Sequence, residues 1–167
     1  MHQTWRPMRP DDLDEVMAIA SVVHEGFFER REVFGERLAL YPQGCWIARA
    51  IDASALGYAV MHPARLGHPP ALDSLLHGLD AQADCLYLHD VALLPAARGA
   101  GLGRALMNLL SELMTRESYA CAALVAVHGS APYWRSSGFE VLAPVTPQLR
   151  KKLDGYDAQA LYLVRGK

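Results

Sequence analysis

The spacing of hydrophobic positions predicts a buried strand, a tight turn and an amphipathic helix between residues 85 and 116. Residues 85–94 are rich in apolar side chains, and Pro95 ends that strand because it cannot donate a hydrogen bond to a sheet. After the turn, apolar residues recur every three or four positions, as on one face of an α-helix that begins near Gly101. These helix positions are Leu102, Ala105, Leu106, Leu109, Leu110, Leu113 and Met114.

The same patterns predict further elements, in the order β-α-α-β-β-β-α-β-α-β-β. The first helix follows Asp11, whose side chain suits an N-cap, and acidic residues fill its first turn. The other predicted elements are strands at 4–8, 44–51, 56–61, 120–127, 139–142 and 158–165 and helices at 28–40 and 131–137. We expect one domain, residues 1–167, with a mixed α/β sheet and helices on both faces.

Two segments lack a clear pattern. Prolines and glycines interrupt residues 62–84, where only a short helical turn at 72–79 is expected. An irregular segment of this length inside a compact domain is usually functional or mobile, so it is a candidate wall of a substrate site. Residues 143–157 are predicted to be a loop.

Charge and cysteine content narrow the class of protein. The net charge is -2 and the pI is about 6.4, which gives no general electrostatic case for binding nucleic acid or an anionic membrane. The three cysteines lie in predicted strands, and their odd number argues against a disulfide framework. The N-terminal segment lacks the basic and apolar regions of a signal peptide. These features predict a cytoplasmic protein with reduced thiols.

The turn at residues 98–104, RGAGLGR, predicts an anion site. A glycine turn that opens a helix offers free backbone N–H groups and the positive end of the helix dipole. A P-loop is excluded because Arg104 and Ala105 stand where Lys and Ser or Thr are required. The dinucleotide pattern G-x-G-x-x-G fails in both registers. The pattern R-x-x-G-x-G is met by Arg98, Gly101 and Gly103.

With its flanks, this turn resembles the GNAT superfamily of acetyl-CoA-dependent N-acetyltransferases. Residues 86–95 match the L-x-x-L-A-V-x-P strand that precedes the family's pyrophosphate motif, Q/R-x-x-G-x-G/A. Residues 131–139 match its A-x-F-Y-x-x-x-G-F segment, and the element order agrees along essentially the whole chain. The resemblance implies a GNAT-like fold: a central, mostly antiparallel twisted sheet with a V-shaped splay between strands 4 and 5.

The resemblance also implies where the coenzyme binds. Backbone N–H groups of residues 98–104 would hold the pyrophosphate of acetyl-CoA, and the pantetheine arm would lie in the splay, along the fourth strand. A backbone N–H near Leu93 would polarise the acetyl carbonyl. The coenzyme-binding residues expected on this basis are Val91, Leu93, Arg98, Gly99, Ala100, Gly101, Leu102, Gly103, Arg104 and Trp134.

Transfer to an amine requires a base, because an alkylamine with a pKa like that of lysine, about 10.4, is almost fully protonated at neutral pH. His89 is our candidate, because its place on the fourth strand is similar to that of a catalytic histidine in arylalkylamine N-acetyltransferases. The alternative is a core histidine without a catalytic role. In an ideal strand the side chain of Asp90 faces the side opposite to that of His89, so Asp90 is not assumed to be its partner. A β-bulge would change this direction.

The proton donor to the leaving thiolate is where the chain departs from the family. The usual tyrosine, four residues before the glycine of the G-F pair, is Trp134 here, and the indole has no proton to give. The thiolate either leaves unaided or takes a proton from Tyr133, Tyr87 or water. Tyr133 is our candidate, although it does not share a helix face with its neighbour.

Other titratable residues are candidates for binding the acceptor or the coenzyme. Glu25 and Glu29, between the first two helices, would attract a cationic amine, and His128 would reach the coenzyme from the loop after the fifth strand. No metal is expected, because the remaining histidines of the irregular segment lack ligand spacing. These histidines are His62, His68 and His77.

The sequence thus predicts an acetyl-CoA-dependent N-acetyltransferase that moves the acetyl group directly to a primary amine of a small molecule. One alternative is a non-catalytic acyl-CoA-binding or sensing domain, motivated by Trp134. The other is an enzyme that acetylates a protein N-terminus or lysine. The expected partners are acetyl-CoA and an amine, with no nucleic acid and no membrane, and the resemblance is compatible with a homodimer.

Overall fold

The computed structural model describes residues 4–166, in which one seven-stranded sheet carries helices on both faces. Residues 1–3 and 167 of the predicted domain lie outside this range. The strands are β1 Thr4–Pro7, β2 Cys45–Arg49, β3 Ala55–Ala64, β4 Cys85–Leu93, β5 Cys121–Ala126, β6 Glu140–Val141 and β7 Leu161–Gly166. The helices are α1 Leu13–Val23, α2 Arg31–Leu40, α3 Leu102–Arg116, α4 Ala131–Ser136 and α5 Pro147–Asp154. Short 3₁₀ turns precede α1, β2 and the glycine turn.

The strand order across the sheet is β1-β2-β3-β4-β5-β7-β6. All neighbours are antiparallel except β4 and β5, which run parallel. Successive residues of β4 alternate between the two faces, as expected for a strand buried on both sides. Leu86 and Leu88 pack with the apolar stripe of α3, while Tyr87 packs on the other face with α5. The predicted mixed sheet is confirmed.

The predicted splay between β4 and β5 is confirmed by the short extent of their pairing. The two strands pair only where Leu86–Leu88 of β4 lies beside Ala122–Leu124 of β5. On its other edge, β4 stays paired with β3 as far as Leu93, and the N–H of Leu94 still donates to the carbonyl of Leu56. Because hydrogen-bonded pairs alternate in an antiparallel ladder, the backbone groups of Val91 and Leu93 point into the gap that β5 leaves.

A β-bulge interrupts β4 beside the splay. Val60 of β3 pairs with Asp90 and Met61 pairs with Leu88, so His89 is the extra residue. A bulge changes the direction of the side chains around it. It therefore breaks the strict alternation that the sequence suggested for this strand.

Two local predictions were wrong. Residues 147–154 form helix α5 rather than a loop, because Thr146 caps the helix by accepting a hydrogen bond from the N–H of Leu149, and Leu149 and Leu153 are buried against the sheet. Residues 72–79 form turns and bends instead of a helical turn, because their backbone N–H groups bond to acidic side chains of the α1–α2 region. None of the helices described between residues 4 and 166 combines the length and apolar character that a membrane crossing requires.

Candidate active site

The splay opens into a cavity of about 780 Å³. Most of its lining comes from four parts of the chain: the end of β4, the glycine turn with the start of α3, the connection between α1 and α2, and the loop from β5 into α4. Leu72 and Tyr156 complete it. Most of the residues proposed for the site from the sequence line it together. These are Glu29, His89, Val91, Leu93, Arg98, Gly99, Gly101, Leu102, Gly103, Arg104, His128, Tyr133 and Trp134.

Three candidates lie elsewhere. Ala100 is exposed in the glycine turn without lining the cavity, and Glu25 is exposed outside it. Tyr87 is buried beneath the cavity floor, and only 1% of its surface is exposed.

One end of the cavity is made mainly of backbone. Gly101 adopts φ +83° and caps helix α3 without a side-chain hydrogen bond. A side chain is strained in this left-handed conformation, which is why the turn needs glycine. The first N–H groups of α3 have no intrahelical partners, and the exposed side chains of Arg98 and Arg104 flank them. This end has the chemistry of an anion site.

The aromatic residues of α4 meet this backbone end. A Cβ atom added to Gly103 would lie 2.5 Å from the hydroxyl oxygen of Tyr133, so glycine permits this close approach. Trp134 packs edge-on against Tyr133 and Phe139, with ring centroids 5.1 Å and 5.7 Å apart. The indole thus serves as a packed wall of the cavity, while the phenol reaches the anion site.

The other end of the cavity is made of side chains, and the β-bulge brings two of them together. His89 and Asp90 both line the cavity, although they would face opposite sides of an ideal strand. They do not pair with each other. Each contacts a residue from the region between α1 and α2 instead.

His89 is paired with Glu29 in a nearly closed environment. The Nε2 atom lies 2.9 Å from Oε1 of Glu29, and the two side chains are 1% and 6% exposed. The carboxylate lies off the N–H direction, so both ring nitrogens are buried without an aligned hydrogen bond. A base at this position would therefore exchange protons with an acceptor through a water molecule. The prediction that His89 is the base stays a prediction.

His24 is paired with Asp90 at a more open position. Its Nε2 atom lies 2.7 Å from Oδ1 of Asp90 and 3.1 Å from the carbonyl oxygen of Val91, and Tyr58 donates a 2.6 Å hydrogen bond to Oδ2 of the same carboxylate. Burial, the largest single effect, lowers the pKa of His24. The hydrogen bond and charge of Asp90 outweigh it and leave that pKa above its usual value.

No local pattern in the sequence marks His24, which is the C-cap residue of α1. Its role depends on how that helix end packs on β4, which is a long-range contact.

A layer of buried polar groups lies behind His89. The rings of His62 and His89 are 5.9 Å apart, and burial lowers the pKa of His62 to about 3. Arg37 is fully buried, and burial also lowers its pKa. His62, His68 and His77 line a second cavity of about 470 Å³. Among residues 4–166, no three potential metal ligands lie together.

The irregular segment forms part of the wall at the side-chain end of the cavity. Leu72 lines the cavity, and the N–H of Asp73 donates a 3.0 Å hydrogen bond to Oε2 of Glu29. Arg30 binds the carboxylate of Asp73. Arg37 donates to the carbonyl of Ser74 at 2.8 Å. These bonds tie residues 72–74 to the α1–α2 region.

The cysteines are poorly suited to act as nucleophiles. Cys45 and Cys85 are fully buried, and burial raises the pKa of each thiol to about 12. Burial also raises the pKa of Cys121. None of the three lines the cavity. A thiol with a raised pKa is a poor nucleophile because the thiolate is the reactive form.

Solved structures share this fold at low sequence identity. The loading GNATL domain of CurA from Lyngbya majuscula aligns with a TM-score of 0.80 and 14% identity over 99% of this chain and 98% of that domain. N-acetylglutamate synthase from Neisseria gonorrhoeae, in complex with coenzyme A and N-acetyl-glutamate, aligns at 0.74 and 16% identity over 99% of this chain and 35% of its own. Arabidopsis thaliana Naa50, in complex with the bisubstrate analogue CoA-Ac-MVNAL, aligns at 0.71 and 11% identity over 100% of both chains.

Sequence comparison decides the family. No curated protein sequence matches the chain. A family model does match, over residues 10–139, and it describes the acetyltransferase (GNAT) family. That range includes the bulged strand, the glycine turn and the G-F pair after α4. The chain therefore belongs to the GNAT acetyltransferase family, whose members are N-acyltransferases that use acyl-CoA.

Proposed function

We propose that the protein transfers the acetyl group of acetyl-CoA directly to a primary amine of a small molecule. The observation that carries this proposal is the set of side chains that lines the side-chain end of the cavity. That end has two carboxylates, and Leu72 of the irregular segment forms part of its wall.

The backbone end supports the coenzyme half of the proposal. The free N–H groups at the start of α3 and the two flanking arginines suit a pyrophosphate. From there, the open backbone edge at Val91 and Leu93 leads along the splay to the acceptor end. A pantetheine arm can pair with this edge as an extra strand would, and the N–H of Leu93 would stabilise the oxyanion that forms on the acetyl carbonyl.

Charge supports an amine as the acceptor. Glu29 and Asp90 both line the cavity, and a protonated amine is attracted to carboxylates in a partly desolvated site. Val23, Phe27 and Leu72 line the same region with apolar surface. The combination suits an amine attached to a short apolar group.

Closure supports a small acceptor over a polypeptide. A peptide needs an open groove in which its second and later residues can leave the site. Here the bonds from Glu29, Arg30 and Arg37 fix residues 73 and 74 beside Leu72, which lines the cavity, and this favours a bounded site over an open groove. Direct transfer, without an acetylated enzyme, is supported because none of the three cysteines lines the cavity.

The experiment is an acceptor panel with two matched series. CoA release is measured with a thiol reagent, first for phenethylamine, putrescine and tyramine, and then for pentapeptides that begin with Phe, Lys and Tyr. We expect kcat/KM to be at least about tenfold higher for the free amines, which corresponds to about 1.4 kcal/mol of transition-state stabilisation. The reverse order would overturn the small-molecule proposal in favour of a polypeptide N-terminus.

A second measurement separates binding from catalysis. Isothermal titration with acetyl-CoA reports the coenzyme site alone. Tight coenzyme binding with no turnover on either series would favour the non-catalytic acyl-CoA-binding alternative. Absence of coenzyme binding would contradict the assignment of the glycine turn.

A further inference from the structure

We propose that His24, held in place by Asp90, is the acid that protonates the sulfur of coenzyme A as it leaves. The proposal rests on acetyl transfer from acetyl-CoA but not on the identity of the acceptor. It supplies a proton donor in a chain that has Trp134 at the position of the family's usual tyrosine.

The location of His24 is the first argument. Its Nε2 atom lies 3.1 Å from the carbonyl oxygen of Val91. That carbonyl belongs to the open edge of β4, along which the pantetheine arm must run. His24, Val91 and Leu93 line the same cavity, so this ring lies beside the stretch of the edge where the thioester, and with it the sulfur, is expected.

The hydrogen bonds of the ring are the second argument. Nε2 is committed to Asp90 and to Val91, whereas Nδ1 has no hydrogen-bond partner among residues 4–166. The side chain remains 19% exposed and lines the cavity, so Nδ1 is the nitrogen that can face a ligand. By contrast, both ring nitrogens of His89 are buried. Of these two histidines, His24 is thus the one with a free nitrogen that can reach the cavity.

The charges around His24 are the third argument. Asp90 faces it from β4, Glu29 faces it from the α1–α2 connection, and the ring of His128 stacks on it at 6.1 Å from the β5–α4 loop. Tyr58 donates to the second oxygen of Asp90 and so fixes the carboxylate. The two carboxylates favour the imidazolium, and the pKa of His24 is raised as a result. A protonated histidine is ready to act as an acid at neutral pH.

The proton balance is complete. The neutral amine attacks the acetyl carbon, the C–N bond forms, and the nitrogen gives up a proton toward His89. The C–S bond breaks with its electron pair on sulfur, and the Nδ1 proton of His24 moves to that sulfur. The products are the amide and the CoA thiol. His89 then returns a proton to solvent while His24 takes one up.

The deciding experiment needs no acceptor. The ring titration of His24 is followed by NMR in protein with ¹⁵N-labelled histidine, assigned with the His24→Gln variant, in complexes with CoA and with desulfo-CoA, which lacks the thiol. A thiol placed to accept the Nδ1 proton changes the surroundings of that nitrogen, so the titration curve of the Nδ1 resonance should differ between the two complexes, whereas that of the Nε2 resonance should be the same. Identical Nδ1 titration curves in the two complexes would overturn the proposal.

A kinetic experiment adds an independent readout. For any amine that turns over, the wild-type rate should fall as the pH rises through the raised pKa of His24, because the acid loses its proton. His24→Gln keeps an amide that can donate to Asp90 but cannot titrate, so this alkaline limb should disappear and kcat should fall about 10- to 100-fold. His128→Gln, the stacked neighbour, should retain the limb. A His24→Gln enzyme that keeps the alkaline limb would contradict an acid role.

Chemical rescue separates catalysis from structure. His24→Ala leaves space in an open part of the cavity, and added imidazole should restore part of the lost rate if the missing group is an acid. Loss of stability alone would not respond to imidazole. If the CoA complexes fail to form at all, the proposed coenzyme site has failed, whereas complexes without a difference in titration refute only the role of His24.

Discussion

The two ends of the cavity are built in different ways. At the backbone end, called the coenzyme end below because we propose that acetyl-CoA binds there, backbone N–H groups and glycines form the surface. The side chains that contribute charge, Arg98 and Arg104, are exposed. At the side-chain end, called the acceptor end below because we propose that the acceptor binds there, ionisable side chains meet in pairs, His24 with Asp90 and the more deeply buried His89 with Glu29. Backbone geometry depends on a short local sequence, whereas paired side chains depend on three distant segments meeting. Coenzyme binding should therefore be lost through changes in the glycine turn, whereas acceptor binding and catalysis should be lost through changes in charge.

The largest effect is expected at the coenzyme end, from Gly101→Asp. The added carboxylate would stand at the start of α3, where it would repel the pyrophosphate and strain a residue at φ +83°. We expect the affinity for acetyl-CoA to fall on the order of 1,000-fold, as if two hydrogen bonds to a charged group were lost. Isothermal titration measures it.

Gly101→Asn is the matched control for this change, because it adds nearly the same volume and the same backbone strain without the charge. It should bind acetyl-CoA more tightly than Gly101→Asp does. Unchanged affinity in the Asp variant would remove the glycine turn from the coenzyme site.

The next effect is expected at the acceptor end, from His89→Ala. If His89 receives the proton of the attacking amine through a water molecule, kcat should fall about 100-fold and the acidic limb of the pH–rate profile near neutrality should disappear. Coenzyme affinity should stay the same, since the change lies away from the phosphate site. A variant that keeps both its rate and its acidic limb would show that the base lies elsewhere.

Glu29→Gln should have a smaller effect, chiefly on the binding of the acceptor. The amide preserves the shape of the side chain and can still accept the hydrogen bond from the N–H of Asp73, but it removes a buried negative charge. We expect KM for a cationic amine to rise about tenfold with KM for acetyl-CoA unchanged.

Glu25→Gln is the control, because Glu25 lies on the same connection but is exposed outside the cavity. Equal effects of the two variants on KM would mean that general surface charge, and not the buried carboxylate, attracts the amine.

Tyr133→Phe is expected to have the smallest effect. The hydroxyl lies over Gly103 at the start of α3, a position suited to a phosphate oxygen. Loss of one hydrogen bond should weaken acetyl-CoA binding about threefold and leave the pH–rate profile unchanged. If the alkaline limb disappears instead, Tyr133 is the acid, as the sequence first suggested, and His24 is not.

The same contrast explains what the sequence could predict. The strand, glycine turn and helix of residues 85–116 are coded locally, by apolar periodicity and by glycines where the backbone needs them. Helix α5 was also coded locally, by Thr146 and the pair Leu149 and Leu153, but the prolines nearby favoured a loop.

The acceptor end was not readable in this way. The bulge at His89 is a property of the register between β3 and β4, which no local pattern specifies. It places Asp90 in the cavity against the expected alternation. His24 becomes part of the site only because the end of α1 packs on β4, and its sequence neighbours carry no trace of that contact.

The short pairing between β4 and β5 has a consequence for the stability of the sheet. Within the described residues, only the stretch Leu86–Leu88 joins the four-stranded half of the sheet to the three-stranded half by backbone pairing. A molecule that fills the splay with an extended, hydrogen-bonding arm would act as a removable eighth strand that fastens the two halves. Unfolding temperature and amide-exchange protection along Val91 and Leu93 should then follow the concentration of coenzyme, because a ligand that binds only the folded state stabilises it by mass action. The sheet would be complete only while its substrate is bound.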